Sequence, residues 1–229
     1  SLTDRTDDFV RLGLVGKRAE SLGAELRASQ AAALPALGMA RGEWDGRPLF
    51  LFRHDFCGPF AVEVFVPSDR AVGFWNEFVD RRGVAPAGSE AVHVHRIEAG
   101  IPWAGVEITD ECLPAETGQS SRAVSFQKGC YLGQEVVERM RSRGVTARKL
   151  SGLLFEDSVS PGASACDESG KAVGVITSVC QSAALGRTIA LGYLKTAASV
   201  VDHALWSDSA GRKIKAIIAQ LPFTRGPAE

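Results

Sequence analysis

Cys130 stands two residues after Lys128 and three before Gly133, in the stretch SFQKGCYLGQEVVERMRSRGVTARKL that covers residues 125–150. From about Gln134 the pattern turns helical, through Glu135, Val136, Val137, Glu138, Arg139 and Met140, and Gly144 is placed to stop it. A thiol just ahead of a helix N-terminus and close to an ammonium is biased toward thiolate, the form that attacks electrophiles and binds metals. Gly129 and Gly133 let the backbone turn sharply and a ligand approach closely. Cys130 and Lys128 are therefore the candidate chemical pair, with Cys130 as nucleophile, redox thiol or metal ligand. The competing reading makes Cys130 a small apolar residue in a turn, since unpaired cysteine is among the most buried residue types.

Other constellations carry less. His93 and His95 alternate within Val92–Ile97, which reads as a strand, so both rings are expected on one face. Only His54 and His203 could add an imidazole, and no acidic partner stands at a ligand spacing, so no metal ligand is assigned. Gly13 and Gly16 lack the third glycine and the Lys-Ser pair of a phosphate loop. No G-x-S-x-G and no H-E-x-x-H is present.

The segment KGCYLGQE resembles the signature K-G-C-[FY]-x-G-Q-E of the YgfZ-type folate-binding proteins, which act in iron–sulfur cluster assembly or maintenance. Those proteins are in turn similar to the T-protein of the glycine cleavage system, a tetrahydrofolate-dependent aminomethyltransferase. Arg96–Pro102, RIEAGIP, matches the R-x-E-x-G-x-P element of both groups, and Glu107, Thr109 and Pro114 fall on the run that follows it. Arg53–Val64, RHDFCGPFAVEV, resembles the T-protein loop R-T-G-Y-T-G-E-x-G-Y-E-[IV]. Arg53, Gly58 and Glu63 match that loop, while Phe56 replaces its tyrosine and Pro59 its first glutamate.

The resemblance implies a folate pocket, with tetrahydrofolate or another folate as cofactor. In it Glu63 accepts from the adjacent N–H donors of the pterin, which a carboxylate can take two at a time. Arg96 contacts the folate, and Phe56 supplies a stacking wall. The bland alternatives are a solvent-facing Glu63 and an Arg96 paired to Glu63 or Glu98. Cys130, with Lys128, would serve an iron–sulfur assembly role; the alternative is a folate-dependent aminomethyltransferase. The family's N-terminal segment, with its catalytic aspartate, has no counterpart in the 229 residues, which counts against catalysis by them alone.

Composition narrows the field further. Hydrophobic residues make up 45% and charged residues 23%, the balance of a globular protein with a real core. A net charge of −1 excludes a global field for nucleic acid, although Arg139, Arg141, Arg143, Arg148 and Lys149 form a local basic cluster. No apolar run approaches the ~20 residues of a membrane span, and no secretory signal opens the chain. Five cysteines without C-x-x-C spacing argue against a disulfide framework, and the expected compartment is the cytoplasm. Expected partners are folate and iron–sulfur assembly or client proteins, not a membrane or nucleic acid.

The elements that must position these residues follow from periodicity. Phe9–Val15 reads as a strand and Gly16 leads into a helix with Leu22 and Leu26 one turn apart. Met39–Trp44 and Leu49–Arg53 read as strands joined by Asp45–Gly46, a strong hairpin signal. Ala61–Val66 reads as a further strand. Ser68 is placed to cap a helix from about Asp69 to Arg81 with Val72, Phe74, Trp75 and Phe78 as its apolar positions. With Val92–Ile97 as a last strand, the order suggests an α+β, ferredoxin-like βαββαβ unit. Beyond it, Leu150–Phe155, Lys171–Val179, Ile189–Leu194, Val200–Leu205 and Lys213–Ile218 are short β-type runs between Gly, Pro, Asp and Ser clusters. They predict a small antiparallel β-barrel. The expected domains are 1–146, folate-binding and T-protein-like, and 147–229, the barrel.

Overall fold

The computed structural model describes residues 2–26, 35–54, 57, 61–144, 146–209 and 211–223. The chain divides into two compact units, Ser1–Val92 and His93–Glu229.

The first unit is built on a four-stranded antiparallel sheet of β1 (Phe9–Val15), β2 (Met39–Trp44), β3 (Arg47–Phe52) and β4 (Ala61–Pro67), in the order β1-β4-β3-β2. Asp45 and Gly46 join β2 to β3 with φ of 50° and 70°, the left-handed pair that a tight hairpin requires. Strand alternation sends Leu12 and Leu14, Leu49 and Leu51, and Val62, Val64 and Val66 to one face. There they meet Leu22 in the middle of α1 (Ala19–Glu25), Leu26 just past its end, and Phe74 of α2 (Ala71–Asn76). Fully burying each of these large side chains contributes about 1.5–3 kcal/mol.

The helix expected from Asp69 to Arg81 exists as a 3-10 turn (Ser68–Arg70), α2 and a π-helical turn (Glu77–Arg81). Phe74 and Phe78 face the core, stacked with centroids 4.4 Å apart, while Val72 and Trp75 lie on the outside. Ser68 does not cap this helix. Its hydroxyl donates to the Asp7 carbonyl instead, at 2.7 Å.

The second unit contains a closed antiparallel barrel of six strands in the order β10-β5-β8-β7-β6-β9. These are β5 (Arg148–Phe155), β6 (Ser164–Cys166), β7 (Ala172–Ser182), β8 (Arg187–Lys195), β9 (Ala204–Ser209) and β10 (Arg212–Ala219). Strand β8 is buried on both faces. Ala190 and Leu194 point into the barrel core, and Ile189 and Leu191 pack outward on Ile97 and Phe223. The tightest approach is at β7–β8, where a Cβ on Gly174 would lie 2.4 Å from the Tyr193 carbonyl oxygen. The α+β unit and the closed antiparallel barrel that the sequence implies are both present.

One expected strand is a helix. Val92–Ile97 lies inside α3 (Ser89–Glu98), so His93 and His95 do not share a face. The run VHVHRI has period-2 polarity, but the segment is held as a helix by partners remote in sequence. Ile97 is fully buried against β8, and Arg96 is fully buried beside it. Helices α4 (Ser120–Ala123) and α5 (Gln134–Arg143) complete the unit, and Gly144, with φ of 65°, ends α5 as expected.

Candidate functional site

In the first unit, the face of the sheet opposite the apolar core is the chemically distinctive one. Glu63 on β4 pairs in register with Gly13 on β1 and Phe52 on β3. Because Val62 and Val64 point to the core, Glu63 must point away from it. It is nonetheless 4% exposed, which rules out a solvent-facing strand residue. Its carboxylate lies 3.5 Å from Arg11 Nη1 and 3.8 Å from His54 Nδ1, both long for a hydrogen bond. The neighbours on this face are aromatic and cationic. Phe9 meets Phe50 edge-on at 5.6 Å, the Arg41 guanidinium lies over Phe50, and Phe52 stacks on His54. A buried carboxylate with aromatic neighbours can accept from a flat ligand carrying adjacent N–H groups. Arg11 and His54 were not foreseen, although period-2 alternation along β1 already sets Arg11 and Gly13 on one face. Phe56 lies outside the described residues.

In the second unit, Arg96 is the centre of a buried polar network. Its Nη1 donates to Glu107 Oε2 at 2.9 Å and to the Ile101 carbonyl at 3.2 Å. Its Nη2 donates to Ser178 Oγ at 2.6 Å and lies 3.2 Å from His93 Nδ1, which accepts from it. The guanidinium also sits 4.7 Å from the Trp103 ring centroid. Glu107 accepts in turn from the Trp103 backbone N–H, Thr177 and Ser178. Arg96 and Glu107 side chains are both 0% exposed. Burial pulls the Arg96 pKa down, and the Glu107 carboxylate opposes that shift. The ion-pair partner is thus Glu107, and Arg96 sits on a helix rather than a strand. Glu98 takes a different partner, Ser182 Oγ, at 2.6 Å.

A neighbouring cluster joins Cys112 to Tyr193. Their Sγ and OH atoms are 3.0 Å apart, and the Tyr193 hydroxyl donates to the Glu107 carbonyl. Burial drives the Tyr193 pKa strongly up. Arg148 covers the Tyr193 ring and pairs with Glu116 at 3.0 Å, which raises the Arg148 pKa.

Cys130 lies exposed in the approach to α5, where Gly133 adopts φ of 87° just before the first helical residue. The Lys128 ammonium lies 4.6 Å from the Tyr131 ring centroid. None of the five cysteines forms a disulfide, and among the described residues no group of three or more His, Cys, Asp or Glu could hold a metal ion. No described helix is long and apolar enough to cross a membrane.

Comparison with known proteins agrees with this architecture. Residues 1–128 match the GCVT N-terminal domain, and residues 148–224 match the glycine cleavage T-protein C-terminal barrel domain. An aminomethyltransferase of Desulfitobacterium hafniense is 30% identical over 98% of this chain and 62% of its own length. An aminomethyltransferase of Bacillus subtilis is 25% identical over 97% of this chain and 62% of its own. The chain therefore spans under two thirds of these relatives. The crystal structure of glycine cleavage system aminomethyltransferase T from Bartonella henselae superposes with a TM-score of 0.80 at 23% identity. That likeness covers 94% of this chain and 60% of the other, and it shows a shared fold.

Proposed function

The chain belongs to the glycine cleavage T-protein family, and from that premise we propose that it binds a folate, tetrahydrofolate first among them, as an aminomethyltransferase-like protein. The observation that carries the reading is the buried Glu63 carboxylate, turned away from the apolar core among Phe52, Arg11 and His54. In this reading Glu63 accepts from the pterin edge, and the aromatic face beside it takes the ring. The Arg96 guanidinium is engaged within the second unit, with Glu107, Ser178 and the Ile101 carbonyl as partners, and is given no ligand contact in this reading.

A second reading rests on KGCYLGQE alone. The exposed Cys130 is accessible to a metal or a partner thiol, as a role in iron–sulfur assembly would need. Such a role would draw further ligands from a partner protein. Five cysteines with no disulfide among them suit a reducing cytoplasm.

The test is calorimetric titration of tetrahydrofolate into the wild type and Glu63→Ala. Leaving pterin donors unpaired in a buried site costs about 1–3 kcal/mol. That corresponds to roughly five- to hundred-fold weaker binding at ~1.4 kcal/mol per decade. Equal affinities, or no binding by the wild type, would overturn the folate reading for this chain.

A further inference from the structure

Helix α5 is incompletely covered. None of its described side chains is fully buried, and Val137 and Met140 are only partly covered. With Phe126 and Leu150 they wall a groove of about 370 Å³, wholly inside the second unit. The rim carries Lys149 and Arg141, the latter also 3.3 Å from Glu138 on the same helix, and among the described residues no carboxylate lines the groove. The wider stretch of residues 120–150 holds seven basic and two acidic side chains, a balance of +5 in a chain whose total is −1. Such a helix and groove, left to water, would waste apolar area that a partner can cover.

We infer that this groove is a docking site for an acidic amphipathic helix of a partner protein, independent of any folate site. Apolar side chains of the partner, spaced one turn apart, enter between Val137, Met140 and Leu150, and its carboxylates meet Arg141 and Lys149. Charge decides the sign of the partner, since a basic rim repels a basic helix and attracts an acidic one. Wall chemistry decides against RNA. The walls are mostly aliphatic, and the one aromatic ring, Phe126, has the Arg141 guanidinium 4.7 Å from its centroid, where a base would stack. Concavity decides against a membrane surface, which takes a convex apolar face.

The test is selection from a phage library of random 16-residue peptides on the whole chain, followed by fluorescence anisotropy with the peptides that emerge. The expected peptides are net acidic, with apolar residues at i and i+3 or i+4. Their affinity should fall at least tenfold with Met140→Glu and severalfold with Lys149→Glu, and should weaken as salt is raised. Lys149 is exposed, so its variant keeps the fold and remains informative if Met140→Glu does not fold. The proposal is overturned if no peptide is enriched, if the enriched peptides are neutral or basic, or if Lys149→Glu leaves binding unchanged. It is also overturned if poly(U) or phosphatidylserine vesicles bind the wild type more tightly than the selected peptides and lose binding in the same variants.

Discussion

The Arg96 guanidinium and the Glu107 carboxylate meet at 2.9 Å with neither side chain exposed to solvent. Such a pair is costly to break from one side, because the remaining charge stays buried without compensation. We expect Glu107→Leu to destabilise the chain by about 3–5 kcal/mol. The double variant Arg96→Met with Glu107→Leu should recover much of that loss, since neither charge then remains. Urea unfolding of the three proteins measures both effects. A single-variant cost below about 1 kcal/mol would show that the pair is solvated like a surface ion pair.

Cys130 and Cys180 should separate cleanly in a labelling experiment. Cys130 is exposed, whereas burial, and then the Glu98 carboxylate, push the Cys180 thiol up to about 11. With iodoacetamide at pH 8, Cys130 should label first. The Cys180 rate should climb roughly tenfold per pH unit until about 11. Peptide mass spectrometry across pH reads both, and equal rates at pH 8 would contradict the arrangement.

Gly174→Ala should cost about 1–3 kcal/mol, the range for overpacking a close contact. The added Cβ would lie 2.4 Å from the Tyr193 carbonyl oxygen and 2.5 Å from Leu194 Cδ2, so β7 and β8 would have to part. Gly129→Ala meets open space and should change stability by no more than about 0.5 kcal/mol. Thermal melts of the two variants make the comparison, and similar losses in both would refute it.

Asp167 gives the barrel an acid limb. Its carboxylate accepts from the Ser169 hydroxyl at 2.6 Å and from the Lys171 backbone N–H at 3.0 Å, and the Ser169 bond, the larger influence, holds its pKa below the usual 3.8. A depressed carboxyl pKa means the folded state favours the charged form. Its stabilisation is therefore present above pH 3.8 and lost as pH falls through the lowered value. Asp167→Ala should melt below the wild type at pH 7, and the gap should close toward pH 2–3. A gap that widens on acidification would reverse the sign.

The hairpin and the barrel were legible because their signals are local. Asp45–Gly46 supplies two residues that tolerate positive φ, and nothing distant is needed to read it. Val200–Leu205 shows where local reading fails. Val200 and Val201 look like strand residues, yet both are exposed in a turn, Asp202 has φ of 67°, and β9 begins only at Ala204. The three-residue β6 is too short to announce itself. Misreading VHVHRI as a strand has a different cause. The groups that hold it as a helix are Glu107, Ser178 and β8, 11 to 82 residues from Arg96 in the hydrogen-bonded cases. The surroundings of Glu63 were equally hidden, since Arg11 comes from β1 and His54 from just past β3. Nothing in the spacing of the cysteines indicated that Cys112 would meet Tyr193.

The two sheets end differently, and that difference bears on how the protein would aggregate. The barrel closes through β9–β10, so each of its strands has a neighbour on both sides. The sheet of the first unit ends at β1 and β2, each paired with a single strand among the described residues, and on the outer edge of β2 the Glu43 N–H donates to the Leu26 carbonyl. Open strands are templates for a second chain, and charge is the usual guard against that. Strand β2 carries Arg41 and Glu43 on its exposed positions, and β1 carries Arg11. At high salt, where those charges are screened, intermolecular β-pairing should begin at the open sheet and leave the barrel intact.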